Sequence, residues 1–221
     1  MSDAMIQLLV LAAIALFLIV RLKNVLGTRT GFEKPPAVDG PPTRSGNVRR
    51  DFEVIEGGPD RDITDHVDDG TDAAKALAAM KLAEPGFSVT EFVSGARGAY
   101  EMILMAFERG DLSDVQPFLS EEVYEAFLGV IADREDKGLR VEANFVGVRE
   151  TSLTEATFDR SSDTAEITLR FVGELTSVVR DAEGEVVEGD PSEIRKQRDV
   201  WTFARVMGAD DPNWKLVGTG G

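Results

Sequence analysis

The sequence predicts an α+β fold behind one N-terminal transmembrane helix, and three observations point to it. An almost unbroken apolar run fills residues 5–26, apolar residues recur at helical spacing from Phe87 to Gly138, and beyond Gly138 they recur at every second position. The 221-residue chain divides accordingly. A short tail covers 1–4, a transmembrane anchor 5–26, a disordered acidic Pro/Gly-rich linker with a short helix at 73–83 covers 27–86, and the folded domain is 87–221.

Met5 to Val20 reads MIQLLVLAAIALFLIV, with Gln7 its one polar member. At about 1.5 Å per residue this makes a helix of roughly 24 Å, against a hydrocarbon core of roughly 30 Å. Leu22, Val25 and Leu26 extend it, and Arg21 and Lys23 reach the interface along their apolar stems. The competing reading, a cleaved signal peptide, needs a basic segment before the run and a small-residue cleavage site after it. Here Asp3 precedes the run, Arg21, Lys23 and Arg29 follow it, and no A-x-A-like site is present. Positive residues stay cytoplasmic, so the N-terminus is expected in the periplasm and the C-terminal domain in the cytoplasm. Arg21, Lys23 and Arg29 then sit at the membrane interface.

The linker alternates Pro35, Pro36, Pro41 and Pro42 with Gly40, Gly46, Gly57 and Gly58, and carries charges of both signs. Such a stretch buries too little to offset its ordering entropy. Asp65-His66-Val67-Asp68-Asp69-Gly70 invites a calcium-loop reading, but the positions that would need a second acid and the closing Glu hold Val67 and Ala76. His66 is the one histidine of the chain. Ala73 to Ala83 has strong helix propensity and a thin apolar face, with Leu77 and Met80 its large members.

The domain opens on Ser88-Val89-Thr90-Glu91, a capping box, with Phe87 and Phe92 at the staple positions. Phe92, Val93, Ala96, Tyr100, Ile103, Leu104 and Phe107 continue one helix face until Gly110. Ser120 starts a second helix, with Val123, Tyr124, Phe127, Leu128 and Ile131 inside and Gly138 as terminator. Strands are expected near 140–149, 152–159, 195–207 and 214–218, around a long half-buried strand from Ala165 to Arg180. Asp181-Ala182-Glu183-Gly184 reads as a turn.

The formal net charge of −16 argues against nucleic acid, whose phosphates need a basic surface. It also argues against broad docking on anionic lipid, local basic patches aside. With no cysteine, the chain forms no disulfide, thiol nucleophile or thiolate metal site. There is no nucleophile elbow, P-loop or dinucleotide fingerprint, and the domain has no histidine. The reading is therefore non-catalytic, with no cofactor, no metal site and no catalytic residue.

The segments GAYEMILMAFERGDLSDVQPFLSEEVYEAF, GEVVEGDPSEI and DVWTFARVMGADDPNWKLVGT resemble the Tim44-like domain, the C-terminal domain of the mitochondrial import-motor tether. With the apolar anchor and RLKNVLGTRTGFEKPP, the whole chain resembles the bacterial TimA branch of that family. The resemblance covers the anchor and 87–219 and leaves the linker unmatched. It implies a nuclear-transport-factor-two-like cone, a curved antiparallel sheet wrapping helices, often around an apolar pocket. It also implies a bacterial inner-membrane location, contact with membrane lipid, and the tethering of other proteins, with a translocase or chaperone as candidate partner.

On that fold Tyr100, Phe127, Phe145, Phe171, Trp201 and Phe203 either line an apolar pocket or fill the core. Arg195, Lys196 and Arg198 form a local basic patch, read as a contact for lipid headgroups or a partner, or as a solvated strand edge that blocks aggregation. The exposed sheet offers a route to homo-oligomers. The expected function is an inner-membrane adaptor that binds partner proteins at the cytoplasmic membrane face; the alternative is a domain binding lipid or a small hydrophobic ligand.

Overall fold

The structure, a computed structural model, describes residues 60–220. The expected anchor, with Arg21, Lys23 and Arg29, and the first part of the linker lie outside the described residues. No helix among the described residues is long and apolar enough to cross a membrane.

Among the described residues four α-helices precede the sheet: α1 (Arg61–Thr64), α2 (Asp72–Ala83), α3 (Val89–Arg109) and α4 (Glu121–Asp136), with a 3₁₀ turn at Gln116–Phe118 between the last two. Local chemistry sets the ends of α3. Ser88 Oγ accepts from the Glu91 amide, the Phe87 and Phe92 rings lie 6.4 Å apart, and Gly110 ends the helix in the left-handed region at φ 76°. Ser120 caps α4 in the same manner, accepting from the Val123 amide. The buried face of α3 runs Val89, Phe92, Ala96, Tyr100, Ile103 and Leu104, the spacing of a single helical stripe.

The strands are β1 (Arg140–Asp159), β2 (Thr164–Arg180), β3 (Val186–Gly189), β4 (Arg195–Val206) and β5 (Lys215–Gly220). They form one antiparallel sheet in the order β1-β2-β4-β5, with β3 paired to the far end of β2. The molecule is thus α+β. One face of β2 carries Ala165, Ile167, Leu169, Phe171 and Leu175, all buried, and α2 and α3 pack on the sheet along β1. The other face is polar, with Thr168 and Thr202 hydrogen-bonded across β2 and β4 at 2.9 Å.

Two sequence expectations change. The strands expected at 140–149 and 152–159 are one continuous strand. Register shifts at Phe145/Gly147, Val148/Glu150 and Leu153/Glu155 let its charged middle run on without a turn. The helix expected at 73–83 is present and packs on the domain, and the rest of residues 60–86, read by composition as linker, joins it: Ile63, Ala74, Leu77 and Met80 are buried in the same core as α3 and β2. Its packed face carries these residues while Leu82 is exposed, and hydrogen bonds from the start of α3 to Asp62 and the Glu84–Arg205 ion pair to β4 hold it there.

Candidate functional site

Tyr100 projects from the middle of α3 onto the sheet and is fully buried. Its ring stacks on Phe171 at 4.5 Å and 11°, and meets Trp201 at 4.8 Å and Phe145 at 6.1 Å. Phe203 joins through Trp201 at 6.2 Å and Phe92 at 6.1 Å. Five of the six aromatics proposed as pocket lining therefore form one cluster, packed ring on ring. Phe127 stands apart, against Phe107 at 4.7 Å. Room for the Tyr100 ring comes from Gly173 on β2, where a Cβ would stand 2.8 Å from Tyr100 Oη.

The Tyr100 hydroxyl donates to Asp199 Oδ2 at 2.6 Å, and Gln197 Nε2 donates to Oδ1 at 3.2 Å. Burial first, and then the bond to Asp199, push the phenol above its ordinary pKa, so it stays a neutral donor. Two turns further along α3, burial raises the Glu108 carboxyl; Arg134 opposes that shift and Asp199 adds to it. Asp199 and Glu108 were invisible as a pair in the sequence. Asp199 sits in a charged run, Glu108 stands near the end of a helix, and only the folded chain, which also bonds Tyr100 of α3 to Asp199 of β4, brings their charges within reach of each other.

Beside Glu108 lies a cavity of about 620 Å³ between the C-terminal ends of α3 and α4 and the start of β1. Its lining includes Ile131, Leu139 and Val141 together with Glu108, Arg134 and Ala182. Arg134 donates to the Phe107 carbonyl at 3.4 Å and lies over the Phe107 ring at 4.5 Å. A smaller apolar hollow of about 260 Å³ lies between α3 and the β4–β5 connection, with Phe92, Phe118, Phe203 and Trp214 around it.

The basic trio is split by the pleat of β4. Lys196 pairs in register with Glu174 and Arg198 with Val172, on the polar face, whereas Arg195 is opposite the inward Leu175 and lies 3.9 Å from Glu193. Glu174 also receives Arg149, at 3.2 Å.

At the other end of α3 two ionic clasps close the fold. Asp62 accepts from Lys81 Nζ, Ser88 Oγ and the Val89 and Thr90 amides at 2.8–2.9 Å, so a carboxylate from α1 caps α3. Burial alone would raise this carboxyl; the bonds from Lys81, Thr90 and Val89 outweigh it and hold it well below the ordinary carboxylate range. Glu84 accepts from Arg205 at 2.6 Å and from the Gly208 amide at 2.8 Å, which lowers its pKa. Arg205 also covers the Trp214 ring at 5.3 Å. The WTFAR and PNWKL elements thus meet here: Trp201, Phe203 and Arg205 point inward, and Trp214 packs on Phe92 at 4.5 Å.

The family model of the Tim44-like domain matches residues 73–221. The chain belongs to the Tim44-like domain family. Among curated proteins, mitochondrial import inner membrane translocase subunit TIM44-1 of Arabidopsis thaliana is 24% identical over 152 residues, 66% of this chain and 32% of that protein. Human mitochondrial import inner membrane translocase subunit TIM44 is 25% identical over 167 residues, covering 71% and 36%. The aligned part of the chain thus spans 32% and 36% of the length of these relatives. Among solved structures, the intermembrane space region of chloroplast protein ARC6 aligns with 58% of this chain and 94% of its own at 12% identity, with a TM-score of 0.38. The Tim44-like region begins at Asp72's neighbour Ala73, inside α2, so the family's own span includes that helix.

Proposed function

We propose that this Tim44-like protein is a non-catalytic adaptor, anchored in a bacterial inner membrane through residues 5–26, that holds partner proteins at the cytoplasmic membrane face. The observation that carries this reading is the Tim44-like region itself, whose relatives are named as inner-membrane translocase subunits. A translocase component or a chaperone is the first partner to seek. The fold is taken as the nuclear-transport-factor-two-like cone, with α3 held against the sheet.

The interior favours a protein partner over an apolar ligand. Tyr100, Phe145, Phe171 and Trp201 pack on one another, the hollow beside Trp214, at about 260 Å³, is smaller than common ligand pockets of roughly 300–1,000 Å³, and the larger cavity by Glu108 is ringed by charged side chains unsuited to an apolar ligand. The chemistry of Tyr100 also supports a non-catalytic role: its hydroxyl is buried and already bonded to Asp199.

Chemical cross-linking of the full-length protein in its own membranes, read by mass spectrometry, tests the adaptor role. Reproducible capture of translocase or chaperone subunits is expected; capture of nothing but copies of itself would refute it. Carbonate extraction tests the anchor, since release into the supernatant contradicts a spanning helix. A periplasm-only reporter fused to the C-terminus should stay silent.

A further inference from the structure

The cavity at the C-terminal end of α3 belongs to neither the aromatic cluster nor the clasps, and its charges are unequally engaged. Its volume of about 620 Å³ suits a small ligand or an inserted side chain. Ile131, Leu139 and Val141 give it an apolar lining. Glu142 is held by Arg180 at 3.1 Å, and Arg134 by the carbonyl and ring of Phe107. Arg109, Glu135 and Arg140 are exposed to water. Glu108 differs from all of these. It is half-buried and has no hydrogen bond or ion pair among the described residues. A carboxyl that is partly withdrawn from water without a donor carries a desolvation cost that an incoming donor would relieve.

We propose that this cavity binds an ammonium or guanidinium group on an aliphatic stem, with Glu108 receiving the cation and Ile131, Leu139 and Val141 packing the stem. A charge-assisted bond to a carboxylate is shorter and stronger than a neutral one, and Ile131, Leu139 and Val141 offer apolar contact to the stem. Two sources share this chemistry: a Lys or Arg side chain presented by a partner protein, and a free alkylamine or alkylguanidine. The site stands independently of the adaptor reading. A free-amine site is compatible with any role, and the partner-side-chain form would give the adaptor one concrete contact.

Isothermal titration of the full-length protein in detergent, with agmatine and with acetyl-arginine methylamide as probes, tests it. Saturable binding of at least one probe is expected. Glu108→Gln should weaken it at least tenfold, and Ala182→Trp, an exposed plug at the cavity edge, should weaken it similarly. Glu135→Gln should change it less than twofold. Tighter binding of acetyl-arginine methylamide assigns the site to a partner's side chain, and tighter binding of agmatine to a free amine. Circular dichroism shows whether each variant is folded, and the two variants fail independently. Binding of neither probe, unaltered binding to folded Glu108→Gln, or saturable binding of inorganic phosphate instead would overturn the proposal.

Discussion

At the N-terminal end of α3 the Asp62 carboxylate accepts bonds from Lys81, Ser88 and two backbone amides, and a second clasp joins Glu84 to Arg205 and Gly208. At the C-terminal end Glu108 faces a cavity with no bonded partner among the described residues, and the charges that act on it are the already engaged Arg134 and another acid, Asp199. Buried polar groups are normally satisfied, so the completed end reads as architecture and the incomplete end as the place left for something else. Arg205 of WTFAR and Trp214 of PNWKL meet at the completed end, where they help close the fold.

The two ends should also answer acid in opposite senses. The Asp62 carboxyl is held below its ordinary value, so its contribution is full above the unfolded pKa and fades as pH falls toward the folded one. Glu108 is raised, so the folded state takes up its proton more readily than the unfolded chain does.

The largest effect should come from the centre that both ends share. Tyr100→Ala removes a fully buried ring stacked on Phe171 and Trp201, and should cost about 4 kcal/mol in denaturant unfolding. A loss under about 1 kcal/mol would mean that the cluster is not close-packed. Next is the clasp: Asp62→Ala takes the carboxylate from the Val89 and Thr90 amides, leaves Ser88 to cap α3 through the Glu91 amide alone, and leaves Lys81 with Asp60, at 2.7 Å. We expect a loss of about 2 kcal/mol, with amide exchange quickening first in α1 and α2. Uniform loss of protection across the sheet would show that residues 60–86 do not open separately.

Features legible in the sequence were those carried by neighbours along the chain. Ser88 with Glu91, Ser120, Gly110, and the alternation from Ala165 to Phe171 each need only a few residues to be recognised. The clasps and the polar pair inside the fold were not legible. Asp62 and Val89 are 27 positions apart, Tyr100 and Asp199 are 99 apart, and Glu84 and Arg205 are 121 apart. Nothing local distinguishes Asp62 from the other acids of an acidic stretch, so the part before the 73–83 helix passed for linker. The aromatics were found because they are apolar and periodic. Whether they line a space or fill it depends on how closely α3 approaches β2, and that distance is set by Gly173.

A smaller effect separates packing from polarity within the same cluster. Tyr100→Phe keeps the ring on Phe171 and deletes only the donor to Asp199, which leaves that carboxylate with Gln197. The expected cost is about 1 kcal/mol. A cost of about 3 kcal/mol or more would place the hydroxyl, not the ring, at the heart of the core.

The smallest effect has the opposite sign and bears most directly on the open end. Replacing Glu108 by Gln removes a half-buried charge that repels Asp199, while keeping nearly the same volume. The wild-type carboxyl has its folded pKa raised, so its favourable contribution is present below the unfolded pKa and is lost as pH rises through the folded value. At neutral pH the ionised carboxyl therefore destabilises the fold, and Glu108→Gln should raise Tm by about 1–3 °C. Below the ordinary carboxylate range the wild-type group is protonated too, and the two proteins should melt together. A clasp residue would behave otherwise: Asp62→Asn should lower Tm at neutral pH, and that deficit should narrow in acid. If Glu108→Gln instead lowers Tm at pH 7, the carboxylate is making a stabilising contact in the free protein, and the two ends of α3 are alike after all.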